Sequence, residues 1–187
     1  NISLVSDAGT PLISDPGYKL IRDIKKSGFN VSSAPGVSSP VMALTLSGIP
    51  SDKFLFVGFL PTKKSSRSDY LIEISNINAS IIIFESAKRI NGTLMDLKEI
   101  LGNRKVAICR ELTKKFEEII NGNISDVLKE ISSRDSLKGE IVIVVSGPDA
   151  SNEKNIDIEL MLMDALSTMS ASEASKEVSK FTNLSRK

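Results

Sequence analysis

The sequence contains no histidine and only one cysteine, Cys109, among its 187 residues. Without histidine, Ser-His-Asp and Cys-His triads are excluded within this chain, and so is a histidine-ligated metal site. A single cysteine also excludes a disulfide framework and a cysteine metal cluster. We therefore expect no metal site, and proton transfer must rely on carboxylates or lysines.

Neither long apolar runs nor an excess of one charge is present. No apolar stretch reaches the roughly 18 residues of a membrane helix, so we expect no membrane partner. The 24 basic and 23 acidic residues give a net charge of +1. Any contact with nucleic acid must therefore come from a local basic patch.

Short apolar runs alternate with segments of helical periodicity, which predicts an α/β fold. Strands are predicted at 2–5, 29–33, 54–58, 80–84, 105–109, 116–120 and 141–145. Helices are predicted at 15–28, with Asp15 as N-cap, and at 38–47, 68–74, 89–101, 124–131, 158–169 and 172–181. In the last of these, Ala171, Ala174, Val178 and Phe181 fall on one face.

The sequence divides into three parts at a Gly-Ile-Pro-Ser joint and a polar linker. Residues 1–52 are predicted to form part of a first α/β domain, 53–148 a second α/β domain, and 149–187 a linker and a short helical tail. Because the chain opens inside a strand pattern, we expect the first domain to be incomplete.

The segment 5–17, Val-Ser-Asp-Ala-Gly-Thr-Pro-Leu-Ile-Ser-Asp-Pro-Gly, lies between a predicted strand and a predicted helix. Ligands bind at the carboxyl ends of strands in open α/β sheets. The small residues at 8 and 9 would let the backbone approach a ligand, and Asp7 offers an acceptor. The alternative is a tight connection in which Asp15 is only a cap.

Four further segments carry candidate functional residues. Ser38 and Ser39 begin a helix after Pro35-Gly36, which favours anion binding or a plain N-cap. Segments 84–89, 110–118 and 138–140 each adjoin a predicted strand and are rich in charge, typical of either a cleft edge or a solvated turn. Lys63, Lys64 and Arg67 are predicted on one loop, as a nucleic-acid clamp or a solubilising surface.

Taken together, these motifs resemble the tetrapyrrole methylase family, in particular its branch that methylates RNA ribose. The segments that carry the resemblance are Leu-Val-Ser-Asp-Ala-Gly-Thr-Pro (4–11), Gly-Phe-Leu-Pro (58–61), Phe-Glu-Ser (84–86), Arg-Glu-Leu-Thr-Lys (110–114) and Lys-Gly-Glu (138–140). Where that branch usually has Tyr and His, this chain has Phe84 and Lys88.

The resemblance implies two α/β domains with S-adenosylmethionine in the cleft between them. It implies 2'-O-methylation of a cytidine ribose in 16S rRNA of the small ribosomal subunit, by a cytoplasmic homodimer. It also implies a preceding segment, so we expect this chain alone to bind the cofactor weakly. The cofactor shell that it implies is Ser6, Asp7, Ala8, Gly9, Thr10, Pro11, Ser38, Ser39, Phe84, Glu85, Leu112 and Glu140.

The remaining candidates for catalysis and RNA binding are two carboxylates and three cations, all at strand ends beside that cleft. Glu85 or Glu111 is predicted to face the acceptor hydroxyl as the catalytic group. Lys88, Arg89 and Arg110 are predicted to hold RNA phosphates, together with the 63–67 cluster. Two alternatives remain open: a family member that methylates a tetrapyrrole, a corrinoid or diphthine, and a non-catalytic RNA-binding module.

Overall fold

A computed structural model describes residues 2–6, 9–134, 136–148 and 158–182. The chain divides into two compact units, residues 1–147 and 148–187. The elements of the first unit are α1 (Tyr18–Lys26), α2 (Ser39–Ser47), β1 (Phe54–Phe59), α3 (Lys64–Ile74), β2 (Ser80–Ser86), α4 (Ile90–Leu101), β3 (Lys105–Arg110), β4 (Glu118–Asn123), α5 (Ile124–Ser132) and β5 (Glu140–Val145). The predicted α/β class is confirmed.

The five strands form one mixed sheet in the order β1-β2-β5-β3-β4. β1 runs parallel to β2, and the remaining pairs are antiparallel. The last strand in sequence, β5, lies in the middle, where Val142 is opposite Phe84 on one side and Cys109 on the other. This insertion brings residues from three distant parts of the chain to one place on the sheet.

Alternation along the strands divides the apolar side chains between the two faces of the sheet. On one face, Ile83, Ile108 and Ile143 pack in a cluster with residues of α3, α4 and α5. On the other face, Ile82, Ala107 and Val144 pack with Ala43 and Leu44 of α2. One face is therefore covered by three helices, whereas α2 covers the opposite face.

Two predicted strands do not join the sheet. Residues 2–5 and 29–33 have no ladder partner among the described residues, and Ile2, Val5 and Phe29 are exposed. A strand is stable only when a neighbour satisfies its backbone groups, so an apolar run by itself does not make one. The predicted strand at 116–120 begins instead at Glu118, and Phe116 lies in the preceding turn.

Asp15 was also predicted wrongly as the N-cap of α1. The helix begins at Tyr18, and Gly17 occupies the cap position with a φ of 128°. Ser14 has a φ of 60° as well. These left-handed conformations interrupt the right-handed helix before Tyr18, so Asp15 belongs to the preceding loop.

The second unit contains α6 (Ile158–Thr168) and α7 (Ala171–Thr182). The carboxylate of Glu173 accepts hydrogen bonds from the Ser170 backbone N–H at 3.1 Å and from its hydroxyl at 2.6 Å, which starts α7. On the predicted face of α7, Ala174 and Val178 are buried but Ala171 is exposed, and the side chain of residue 181 lies outside the description. The domain boundary predicted at residue 52 stays a prediction.

Of the helices in the described part of the chain, none has the length and apolar character needed to cross a bilayer.

Candidate functional site

A cleft of about 930 Å³ opens on the α2 face of the sheet. Its lining includes Phe84, Cys109 and Val142, which are neighbours across β2, β5 and β3. Its lining also includes residues 4–6, the loop 9–17, the first turn of α2, and the pair of turns at 112–114 and 139–140. We call this space the cleft.

Every described residue of the predicted cofactor shell lines the cleft. These residues are Ser6, Gly9, Thr10, Pro11, Ser38, Ser39, Phe84, Glu85, Leu112 and Glu140. Two others, Asp7 and Ala8, lie outside the described residues. The fold thus brings together motifs that are spread over more than two thirds of the sequence, while their role in binding a cofactor stays a prediction.

The loop 9–17 is held in a strained conformation against the rest of the first unit. Leu12 has a φ of 74° and Ser14 a φ of 60°, which non-glycine residues adopt at a cost. The Thr10 hydroxyl donates to the Val37 carbonyl at 3.1 Å. Gly58 has a φ of 66° at a bulge in β1, and a Cβ there would lie 3.0 Å from Ser14 Oγ. The loop is therefore fitted to both the start of α2 and the edge strand.

The first turn of α2 offers backbone donors to the cleft. Ser38 is the N-cap and makes no side-chain capping bond, and both Ser38 and Ser39 line the cleft. Pro40 follows in the first turn and is buried. The first N–H groups of a helix have no partner within the helix and favour negatively charged ligand groups.

Glu85 was predicted as a catalytic group, but its carboxylate is engaged inside the protein. The side chain is fully buried and accepts hydrogen bonds from Thr93 Oγ1 at 2.6 Å and from the Ser86 N–H at 2.7 Å. Arg89 Nε lies 3.4 Å away. Because Thr93 belongs to α4, the carboxylate turns away from the α2 face, although Glu85 as a residue is part of the cleft lining at the end of β2. This geometry favours a positioning role at the end of β2.

Glu111, the second predicted catalytic group, joins two turns of the cleft wall. Its carboxylate accepts from the Glu140 N–H at 2.8 Å and from Lys114 Nζ at 3.2 Å. Lys114 Nζ also lies 3.0 Å from the Glu140 carboxylate. A Cβ on Gly139 would lie only 2.5 Å from Glu111 Cγ. We call Glu111, Lys114, Gly139 and Glu140 the Glu111 clamp.

The charges of the clamp shift the pKa values of its members. The Glu140 backbone hydrogen bond, followed by the bond from Lys114, lowers the pKa of Glu111. Hydrogen bonds to Glu140 and Glu111 raise the pKa of Lys114. A carboxylate with a lowered pKa is a weaker proton acceptor, so the clamp favours a structural role for Glu111 over that of a base.

The six cations predicted to bind RNA lie outside the lining of the cleft. Arg67 is the clearest correction: it lies in α3 rather than on a loop, and its Nε donates to the buried Asp96 carboxylate at 2.6 Å. Its Nη1 also donates to the Thr62 carbonyl at 3.2 Å. Because the guanidinium is buried and its donors are bonded to acceptors within the protein, Arg67 is not an exposed phosphate ligand.

Arg89 and Arg110 are also engaged within the protein. Arg89 Nη2 donates to the Leu60 carbonyl at 2.9 Å. Arg110 Nε donates to the Glu118 carboxylate at 3.1 Å, and Arg134 also binds there. Arg134, followed by Arg110, lowers the pKa of Glu118. In contrast, Lys63, Lys64 and Lys88 are exposed, although Lys64 is the first residue of α3 rather than a loop residue, and its Nζ lies 3.9 Å from the Asp96 carboxylate. The predicted basic surface is thus reduced to three lysines.

Several residues that line the cleft were not predicted to do so. Asp15, Met42, Phe59, Cys109, Lys114 and Val142 belong to this group. Asp15, Phe59 and Lys114 lie inside the quoted motifs, which was the available signal. Cys109 and Met42 gave no signal, because an apolar residue in a strand or helix reads as core. Burial raises the pKa of the Cys109 thiol to about 11, so it stays protonated at neutral pH.

Within the described ranges, no group of three or more carboxylates or thiols has the arrangement needed to hold a metal ion. The groups that the cleft offers to a ligand are its apolar floor, its backbone donors and its carboxylates.

The geometry of the first unit agrees with a known family. A sequence model named Tetrapyrrole (Corrin/Porphyrin) Methylases matches residues 1–128. The chain belongs to the tetrapyrrole methylase family. Among solved structures, the methyltransferase CobJ is similar with a TM-score of 0.56 at 16% identity, over 74% of this chain and 62% of that one. At such low identity the likeness shows the shared fold.

Curated relatives are much more similar to this chain in sequence than CobJ is. Ribosomal RNA small subunit methyltransferase I of Rickettsia prowazekii is 46% identical over 89% of this chain and 59% of its own length. The protein of the same name from Mesorhizobium japonicum is 43% identical over 97% of this chain and 62% of its own length. The chain spans about three fifths of the length of these relatives.

Proposed function

We propose that the protein containing this chain is an S-adenosylmethionine-dependent methyltransferase that acts on the 2'-hydroxyl of a cytidine in 16S rRNA. The observation that carries the proposal is the lining of the cleft. All ten described residues of the shell that the resemblance implied meet there. The relatives named as ribosomal RNA small subunit methyltransferase I support the choice of RNA as the acceptor.

The residues of the cleft fit S-adenosylmethionine. Its volume of about 930 Å³ lies at the upper end of the range for small-molecule sites, roughly 300–1,000 Å³. Phe84 and Val142 offer an apolar floor, and the start of α2 offers N–H donors for a carboxylate. Glu140 offers an acceptor for an ammonium group or ribose hydroxyls.

When bound, S-adenosylmethionine supplies a methyl group that is already activated on a sulfonium. The chain must hold the acceptor oxygen in line with that group and keep water away. The Glu111 clamp serves the first task, since it fixes Leu112 and Glu140 in one wall of the cleft. Asp15 is half-buried on the cleft and lies outside the Glu85 and Glu111 networks, so we expect it to accept the hydroxyl proton.

The RNA is expected to approach over the exposed lysines. Lys63, Lys64 and Lys88 follow the ends of β1 and β2, the two strands that also supply Phe59 and Phe84 to the cleft. Lysines of this kind contact phosphates and give binding that weakens with salt. A homodimer acting on small ribosomal subunits in the cytoplasm completes the proposal.

Methyl transfer to ribosomal subunits tests this function. Full-length protein is incubated with tritiated S-adenosylmethionine and small subunits purified from cells that lack the enzyme. We expect label in 16S rRNA, retained on a 2'-O-methylcytidine after nuclease digestion. Subunits from wild-type cells are the control and should accept little label. Label on a base, or transfer only to a porphyrin or corrinoid, would contradict the proposal.

A further inference from the structure

Phe59 is a large apolar side chain left open at the mouth of the cleft. It is the last residue of β1, it lines the cleft, and 59% of it is exposed. Burying a ring of this size would stabilise the fold, so leaving it open forgoes a favourable contribution. An exposed aromatic side chain beside a cleft is typical of a binding surface.

The ring of Phe59 packs against Phe84, which packs against Phe56. The Phe59 ring meets the edge of Phe84 with the centroids 5.5 Å apart. Phe84 in turn contacts Phe56 in the same edge-to-face manner at 4.9 Å. The open ring therefore stands on a fixed aromatic base and would lose little freedom when a ligand stacks on it.

The backbone that follows Phe59 is fixed by two arginines. Arg89 Nη2 donates to the carbonyls of Leu60 at 2.9 Å and of Pro61 at 3.2 Å. Arg67 Nη1 donates to the Thr62 carbonyl at 3.2 Å and is itself held by Asp96. Such charge-assisted bonds give the loop one conformation, and that conformation leaves the ring open.

Positive charge lies next to the ring in the sequence. Lys63 ends the same loop and Lys64 begins α3; 70% of the Lys64 side chain is exposed, although its Nζ lies 3.9 Å from the Asp96 carboxylate. Lys88 is exposed one residue before Arg89, which contacts this loop. An exposed aromatic ring at the start of a loop that leads to exposed lysines fits unpaired RNA, whose bases stack on such rings while its phosphates contact the lysines.

We propose that Phe59 is the stacking platform for an unpaired nucleobase of the RNA substrate, at the entrance to the cleft. This inference rests on the proposed function, because it takes the acceptor to be RNA. The platform explains how a ribose in a structured RNA reaches the cleft: the base next to the cleft is splayed out and held on the ring. The adenine of the cofactor is the competing ligand for this ring, because Phe59 also lines the cleft, and the test separates the two.

The test compares Phe59→Ala, Phe59→Trp and Phe116→Ala in the full-length protein. Phe116 is the matched control, since it is 63% exposed and does not line the cleft. We expect Phe59→Ala to lower kcat/KM for small subunits roughly 10- to 100-fold, the loss typical of one base stack. Phe59→Trp should retain most of the activity, and Phe116→Ala all of it. Calorimetric affinity for S-adenosylmethionine should stay within about twofold in every variant.

Two outcomes would overturn the platform. One is activity of Phe59→Ala equal to that of the control variant. The other is an equal loss of cofactor affinity, which would assign the ring to the cofactor. If the wild-type protein transfers no methyl group, the proposed function fails, and binding of a short single-stranded RNA then tests the platform alone. In that assay, equal affinities of Phe59→Ala and Phe116→Ala would contradict it.

Discussion

The two faces of the sheet differ in how they are covered. On the face under α3, α4 and α5, Ile83 and Ile143 are fully buried among apolar neighbours. On the opposite face, α2 covers Ile82 and Val144, but Phe84 and Val142 line the cleft. The strands carry the same alternation on both faces, so the position of α2 decides where the cleft opens.

The largest effect that separates the two faces is expected from Leu94→Ala. Leu94 is fully buried in the three-helix face, and its removal leaves a cavity that costs about 3–4 kcal/mol of unfolding free energy. Met42→Ala, at a half-buried position on the cleft, should cost less than about 1.5 kcal/mol. Chemical denaturation of both variants checks this order, and equal costs would break the comparison.

Asp96→Ala should lower the free energy of unfolding by about 3 kcal/mol, because it leaves the Arg67 guanidinium buried without the Asp96 carboxylate that pairs with it. Glu118→Ala is the comparison, since it removes a partly exposed acceptor of Arg110 and Arg134. We expect a cost below about 1 kcal/mol there. Denaturation curves that rank the two variants in reverse would show that the Arg67 pair is not part of the packed face.

Gly139→Ala should damage the cleft more than the packed face. Its φ is 100°, and the new Cβ would collide with the Glu111 carboxylate, so the clamp must open. We expect a loss of about 1–2 kcal/mol in stability and roughly tenfold in affinity for S-adenosylmethionine. Gly36→Ala is the control, because nothing lies within 4 Å of its Cβ position. Calorimetry should find Gly36→Ala close to wild type, and equal losses would contradict the clamp.

The smallest expected effect is the loss, at acidic pH, of the stability that Glu111 contributes. The pKa of Glu111 is lowered in the folded state, so its contribution to stability is complete at neutral pH. That contribution starts to decline near the ordinary glutamate value of 4.5 and is lost as pH falls through the lowered pKa. Urea unfolding of wild type and Glu111→Gln between neutral and acidic pH measures it. The two proteins should converge at low pH, and a constant difference would contradict the clamp.

Most elements of the sheet were predictable because their apolar runs are long and regular. The strands at 80–84, 105–109 and 141–145 were predicted within two residues, because each is a nearly continuous apolar run that contains β-branched Ile or Val. The runs at 2–5 and 29–33 were not, because a strand depends on a partner that its own sequence does not reveal.

The composition of the cleft was predictable from motifs, whereas the orientation of its side chains was not. Sequence placed Glu85 at a strand end, but only the structure shows that its carboxylate turns to Thr93. Similarly, Arg67 and Arg89 read as surface cations, although carbonyls of the 60–62 loop and Asp96 hold them inside. Long-range hydrogen bonds of this kind leave no periodic signal in the chain.

Photochemical labelling with tritiated S-adenosylmethionine tests the central claim most directly. The full-length protein is irradiated with the bound cofactor, digested, and the labelled peptides are sequenced. Label is expected on peptides that contain 9–17, 38–42 or 84–86, which line the cleft, and unlabelled S-adenosylhomocysteine should compete it away. Competed label confined to α3, α4 or α5, with none on the cleft segments, would contradict the account.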